Sequence, residues 1–188
     1  ISICDRIKTS AGNFPDIDEI ANTGIQSSAC FGQGNFRVSP IHIVAYMNIF
    51  ANNGLYVYPQ VIEGMYSQLN GNCTEEMYRY SSKRVVSPHT AKTIKDMLIQ
   101  VNTTGAGERA KPTFLSAAGK TGTAQTGKIK ENGQEVFTAW YCGFYPADNP
   151  EYIICITAYD GGESTYNTAP IFKKICDSIY YLKYADES

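Results

Sequence analysis

From Pro112 onward the apolar residues of this chain change period, and that change limits the fold more than any other feature. Before it, "SPHTAKTIKDMLIQVN" carries Ala91, Ile94, Met97, Leu98 and Val101 on one helical stripe. After it, "TFLSAAGKTGTAQ", "EVFTAWYCGFYP" and "EYIICITAYD" are rich in β-branched and aromatic residues, the composition of strands. Asn132-Gly133 between the first two is a hairpin signal, and "ADNP" between the second and third is a tight turn. Three strands joined by two short connections can only be an antiparallel meander.

The flanking segments are helical. Ser39-Pro40 and Ser87-Pro88 are each an N-cap followed by proline at the first helical position. The first opens "IHIVAYMNIFANN", with Ile41, Val44, Ala45, Met47 and Phe50 roughly at helical spacing and Gly54 as the stop. Upstream, "TSAGNFPDIDEIANTGIQSSACFGQGNFRVSP" is dense in Gly, Ser, Asn and Pro and predicts loop with one short helix. Short extended pieces are expected around "LYVYPQVIEGMY", followed by a polar excursion, "SQLNGNCTEEMYRYSSK". At the other end, Asn167 is a candidate cap for "TAPIFKKICDSIYYLKY", with Ile171, Ile175, Ile179 and Leu182 on one side. Helices, a meander and a closing helix predict an α+β domain with helices packed on an antiparallel sheet.

Composition excludes several classes of partner. The chain has 188 residues, enough for one domain, and 16 Lys+Arg against 18 Asp+Glu give a net charge of -2. There is no basic field for nucleic acid, and no apolar run long enough to span a bilayer, the best being fragments such as "YIICITAY". Six cysteines occur without a Cys-x-x-Cys pair, and His42 and His89 add nothing to a metal site, so no metal or other cofactor is expected. Cys142 and Cys155 fall in apolar strand-like runs and read as buried thiols; whether any cysteines pair stays open. The chain begins with Ile and shows no signal peptide, so it is expected to be a piece of a longer protein.

The segment "AAGKTGTAQTGK" carries the chemistry. Gly-Lys-Thr suggests a phosphate loop, but such a loop needs a glycine where Phe114 stands, and it leads into a helix, whereas Thr121 leads into a hairpin. Lys-Thr-Gly is also the triad of active-site serine penicillin-recognising enzymes. There, lysine supplies a cation beside the nucleophile and the substrate carboxylate. Alternation along a strand puts the hydroxyls of Thr121 and Thr123 on one side. Gly122, lacking a side chain, lets a ligand approach the backbone. An edge strand also offers unpaired N–H groups to an oxyanion and to an extended peptide.

The surroundings extend the likeness. "FGQGNFRVSPIHIVAYMNIFANNGLYVYP", "RVVSPHTAKTIKDMLIQVNTTGAGERA", "AGKTGTAQTG", "TAWYCGFYPADNPEYIICI" and "APIFKKI" resemble, in order, consecutive segments of the transpeptidase domain of class B penicillin-binding proteins. The resemblance runs from about Ser10 to the final helix. It implies a partial β-lactamase/transpeptidase-like fold, and a parent protein that is a D,D-transpeptidase. Such a protein cross-links peptidoglycan stem peptides ending in D-Ala-D-Ala through a serine acyl-enzyme, and is acylated by β-lactams. It would sit at the extracytoplasmic face of the bacterial cytoplasmic membrane, anchored by an N-terminal segment that this chain does not contain. By the same resemblance Lys120 and Thr123 are catalytic, and Lys120, Thr121, Gly122 and Thr123 bind substrate. Gly105, Gly107 and Arg109 are expected to shape the turn before the triad, Trp140 to lie in the core, and Gly32 and Gly34 to be loop glycines. Glu108, Gln125 and Tyr141 are close to the triad in sequence, but nothing singles them out.

Two motifs of that family are missing. No serine or threonine stands three residues before a lysine, and no Ser-x-Asn occurs. Residues 1–188 are therefore expected to be the C-terminal portion of the domain, inactive alone, with the nucleophile on other residues. The alternative is a non-catalytic scaffold or a β-lactam- or peptide-binding module. Either way, the "EYIICITAYD" strand is expected to have a free apolar edge, to be covered by the missing half of the domain or by a second copy.

Overall fold

A computed structural model of the chain describes residues 10–184, apart from 15, 22, 31, 35, 62–63, 70–71 and 77–81. The glycine-rich opening stretch holds two short helices rather than one, α1 (Ile17–Ile20) and α2 (Thr23–Cys30). An antiparallel bridge between Asn13 and Arg37 closes this stretch into a loop. Helix α3 (Pro40–Ala51) starts as its sequence requires, with Ser39 as N-cap and His42 reaching back to accept the Ser39 N–H at 3.2 Å. It stops where Asn53 and Gly54 take positive φ of 51° and 88°. A Cβ at Gly54 would collide with the Val86 carbonyl, so only glycine fits there.

Two small ribbons follow. Strand β1 (Leu55–Val57) pairs antiparallel with β4 (Ser82–Arg84), and β2 (Gly64–Tyr66) pairs with β3 (Cys73–Glu76). They account for the extended pieces expected after Gly54; part of the polar excursion lies outside the described residues. Helix α4 (Pro88–Thr104) has the Ser87 hydroxyl accepting from the Thr90 N–H at 3.0 Å. Its buried stripe differs from the expected one at two places: Met97 is 59% exposed, whereas Asn102 is 1% exposed. Periodicity favoured the apolar residue, but Asn102 has a hydrogen-bond partner in the sheet that Met97 does not need.

The meander is present as expected: β5 (Ala118–Ile129), β6 (Glu135–Tyr145) and β7 (Tyr152–Tyr159) in the order β5-β6-β7, each pair antiparallel. β5 begins later than its composition suggests, because the backbone N–H of Thr113 goes to the Asp177 carboxylate at 2.7 Å instead of to a strand. It also runs further, through a register shift between Gln125 and Ile129 where Gly127 has φ 69°.

One turn of helix, α5 (Ser164–Asn167), precedes the closing helix α6 (Ala169–Tyr184). Asn167 is therefore the last residue of α5 rather than a cap for α6; its amide donates to the Gly161 carbonyl at 2.5 Å. The expected Ile171–Leu182 stripe is corrected as well. Ile171 and Leu182 are exposed, and α6 buries Ala169, Phe172 and Cys176. Both sets have helical spacing. Phe172 decides between them, because its ring packs on Tyr141 with centroids 4.6 Å apart.

The sheet thus has two covered faces. On one, Ala118, Cys142 and Phe144 pack with Met47, Ile49 and Phe50 of α3 and with Ile94, Leu98 and Ile99 of α4. On the other, Tyr141 and Tyr145 pack with Ala169, Phe172 and Cys176 of α6. Full burial of a side chain such as Phe144 or Phe172 contributes about 2–3 kcal/mol, enough to fix which helix covers which face.

Candidate functional site on the free edge of the sheet

Among the described residues β5 is an edge strand, and its register with β6 sets what each residue offers. Lys120 lies opposite Cys142, Thr121 opposite Tyr141, Gly122 opposite Trp140 and Thr123 opposite Ala139. Side chains of opposed residues share a face, so Lys120 and Gly122 belong to the α3/α4 face, and Thr121 and Thr123 to the α6 face.

The backbone alternates in the other direction. In β6 the carbonyl of Phe137 accepts from Gly161, and that of Tyr145 accepts from Glu151, at 3.2 Å each. Odd-numbered residues of β6 therefore bond toward β7, and even-numbered ones toward β5. Across β5, Lys120 and Gly122 consequently bond to β6, whereas the N–H and C=O groups of Thr121 and Thr123 point to the free edge. The Thr123 carbonyl confirms this orientation, since it accepts a long contact of 3.5 Å from the side-chain amide of Gln33, 90 residues away in sequence.

Lys120 is exposed, and its stem curls over that edge: Nζ donates to the Thr121 carbonyl at 3.0 Å and lies 3.4 Å from Thr121 Oγ1. A cation, two outward backbone N–H groups and two hydroxyls thus meet along one edge, although lysine and threonines start from opposite faces. The Thr123 hydroxyl is 3.2 Å from the buried Ser164 hydroxyl of α5, which orients it. Gly122 is open: a Cβ there would meet only the Trp140 Cβ, at an ordinary 3.5 Å.

The residues around the triad divide. Gly107 is structural as expected, since a Cβ there would come 2.8 Å from Asn102 Oδ1. Arg109 stacks over the Tyr166 ring with Cζ 4.5 Å from its centroid. Gly32 and Gly34 hold φ of 76° and 103°, as loop glycines do. Trp140, expected in the core, is only half-buried, because it shares its face with Lys120 and Gly122 beyond the reach of the α3 cluster. Tyr141, which nothing in the sequence singled out, is fully buried and donates its phenol proton to Asn102 Oδ1. Burial pushes its pKa up, so the phenol keeps its proton and remains a donor. Gln33 was also missed. Its only signal was its place between two glycines that take positive φ.

Comparison with known proteins identifies the fold in which this strand sits. The model of the penicillin binding protein transpeptidase domain matches residues 5–177. Penicillin-binding protein PbpB of Mycolicibacterium smegmatis is 32% identical over 183 residues, which span 88% of this chain and 27% of that protein. Stage V sporulation protein D of Bacillus subtilis is 32% identical over 143 residues, spanning 74% of this chain and 21% of that protein. Among solved structures, penicillin-binding protein 3 of Mycobacterium tuberculosis complexed with aztreonam superposes with a TM-score of 0.75 at 30% identity, covering 93% of this chain and 41% of that one. A peptidoglycan synthetase from Bifidobacterium adolescentis shares the fold, with a TM-score of 0.80 at 20% identity. The chain spans about a quarter of the length of these two curated relatives. It belongs to the penicillin-binding protein transpeptidase domain family.

Proposed function

We propose that residues 1–188 are the C-terminal portion of a transpeptidase domain and supply one wall of the active site of a peptidoglycan D,D-transpeptidase. The free edge of β5 carries this reading: Lys120 reaches over it, and Thr121 and Thr123 turn their backbone N–H groups and hydroxyls to it. Lys120 and the hydroxyls of Thr121 and Thr123 bind the terminal carboxylate of a stem peptide ending in D-Ala-D-Ala, or the acid of a β-lactam. Gly122 lets the ligand lie against the backbone. The Thr123 N–H stabilises the oxyanion formed when a serine attacks the penultimate carbonyl. Terminal D-Ala then leaves, and the acyl-enzyme passes to an amine of a neighbouring stem peptide.

That serine comes from residues outside this chain, which has no serine three residues before a lysine. The same residues, or a second copy, would cover the outer edge of β7. Binding of aztreonam by the Mycobacterium tuberculosis relative supports β-lactams as ligands. A protein acting on peptidoglycan works at the extracytoplasmic face of the cytoplasmic membrane. No helix among the described residues is long and apolar enough to cross it, so the anchor would lie elsewhere in the protein.

The test is labelling with a fluorescent penicillin. The protein encoded by the full open reading frame takes covalent label, this chain alone takes none, and Lys120→Ala in the full protein slows labelling about a hundredfold or more. An open reading frame without a Ser-x-x-Lys, or a Lys120→Ala variant labelled at the parent rate, overturns the assignment.

A further inference from the structure

Two thiols that the proposed reaction does not use face each other in the sheet. Cys142 on β6 lies directly opposite Cys155 on β7. Cys142 belongs to the even-numbered residues of β6, whose backbone groups bond toward β5. Toward β7 it therefore forms the non-hydrogen-bonded kind of antiparallel pair, in which opposed Cα atoms are about 4.5 Å apart and side chains come closest. That separation lies within the Cα range of about 4.4–6.8 Å that a disulfide spans. Both side chains point to the α3 face, and both are free thiols. Opposite Cys142 on its other side stands Lys120, so Lys120, Cys142 and Cys155 form one row across the three strands.

We propose that Cys142 and Cys155 are a redox-active dithiol that closes to a cross-strand disulfide by exchange with a small disulfide. Cys155 is the entry point. It is half-buried on the outer strand, whereas Cys142 is 4% exposed. Interaction with the facing thiol lowers the pKa of Cys155 and, together with burial, raises that of Cys142. In the first step the Cys155 thiolate attacks one sulfur of the disulfide, forms a mixed disulfide and releases one thiolate. In the second, Cys142 gives up its proton to that thiolate and attacks Cys155 Sγ, releasing the second thiolate, which takes the proton of the original Cys155 thiol from solvent. Two protein thiols are oxidised and one external disulfide is reduced to two thiols. Neither Cys30, exposed on α2, nor Cys176, buried under the opposite face, lies in this row.

The proposal is tested on the native chain with oxidised glutathione as probe. Intact mass and peptide mapping are expected to show loss of two hydrogens, with Cys142 and Cys155 linked, and a reducing thiol reverses it. Cys142→Ala is expected to stop at a glutathione adduct on Cys155, and Cys155→Ala to form neither adduct nor link in this row. Two results overturn the proposal. One is a stable glutathione adduct on Cys155 in the unmutated chain with Cys142 still free. The other is both thiols unmodified while Cys30 reacts. The unmutated chain decides the matter even if a variant fails to fold, and neither result depends on β-lactam labelling.

Discussion

The phenol of Tyr141 donates to the side-chain carbonyl of Asn102, tying the middle strand of the sheet to the last turns of α4. Both residues are buried, and two glycines are shaped around the bond: a Cβ at Gly107 would come 2.8 Å from Asn102 Oδ1, and one at Gly119 would come 2.5 Å from the Tyr141 hydroxyl. Gly119 immediately precedes Lys120, so this buried contact sets where the triad strand begins.

Tyr141→Phe keeps the ring but leaves the Asn102 carbonyl buried without its donor. A loss of about 1–3 kcal/mol is expected in urea denaturation. Asn102→Ala should cost a similar amount, and the double variant less than the sum, because the two share one bond. Additive losses would show that the bond carries no coupling energy.

The two glycines on either side of Lys120-Thr121 should behave oppositely. Gly119→Ala drives a methyl into the Tyr141 ring and is expected to lower the melting temperature by several degrees. Gly122→Ala meets only ordinary contact at Trp140 and should leave stability within about 0.5 kcal/mol. It should still slow penicillin labelling of the full protein, because its methyl would stand where the proposed ligand lies against the backbone.

Lys120→Met removes an exposed ammonium that, among the described residues, bonds to its neighbour Thr121. Thermal denaturation is expected to show a change within about 0.5 kcal/mol, so loss of labelling in this variant reports on the site and not on the fold. A large drop in melting temperature would mean that Lys120 holds structure instead.

Acid sensitivity should concentrate at Asp177. Desolvation raises its pKa, but this is outweighed by the Thr113 N–H, Lys173 and the Thr113 hydroxyl, so the net shift is downward. A carboxylate with a depressed folded-state pKa contributes stability that is present above its unfolded value, near 4, and is lost as pH falls through the folded value. Melting temperatures from pH 6 to pH 2 should therefore fall less steeply for Asp177→Asn than for the parent. Parallel curves would remove this carboxylate from the acid response.

The outer edge of β7 has no strand partner among the described residues, and Tyr152 and Tyr159 along it are 37% and 64% exposed. An uncovered edge tends to pair with another chain. The isolated chain is expected to self-associate as its concentration rises in light scattering. A monomer throughout would show that this edge is self-limiting.

Elements with a strong local signature were legible in the sequence. Ser39-Pro40, Ser87-Pro88 and Asn132-Gly133 act through their own backbones, so they located α3, α4 and the hairpin without reference to anything distant. The alternation of Lys120 to Thr123 was legible for a similar reason, since a strand orders successive side chains to opposite faces. Choices between near-equal local patterns were not legible. α6 could have buried Ile171 or Phe172, and α4 could have hidden Met97 or Asn102. Each was settled by Tyr141, one strand away in space and dozens of residues away in sequence. Gln33 reaching Thr123, and Cys142 facing Cys155, likewise depend on register and loop closure. Sequence alone thus determined which segments fold and how the side chains alternate along the triad strand. Tertiary packing decided which face each helix buries and which groups meet at the sheet edge, because those choices depend on contacts that no local stretch of chain contains.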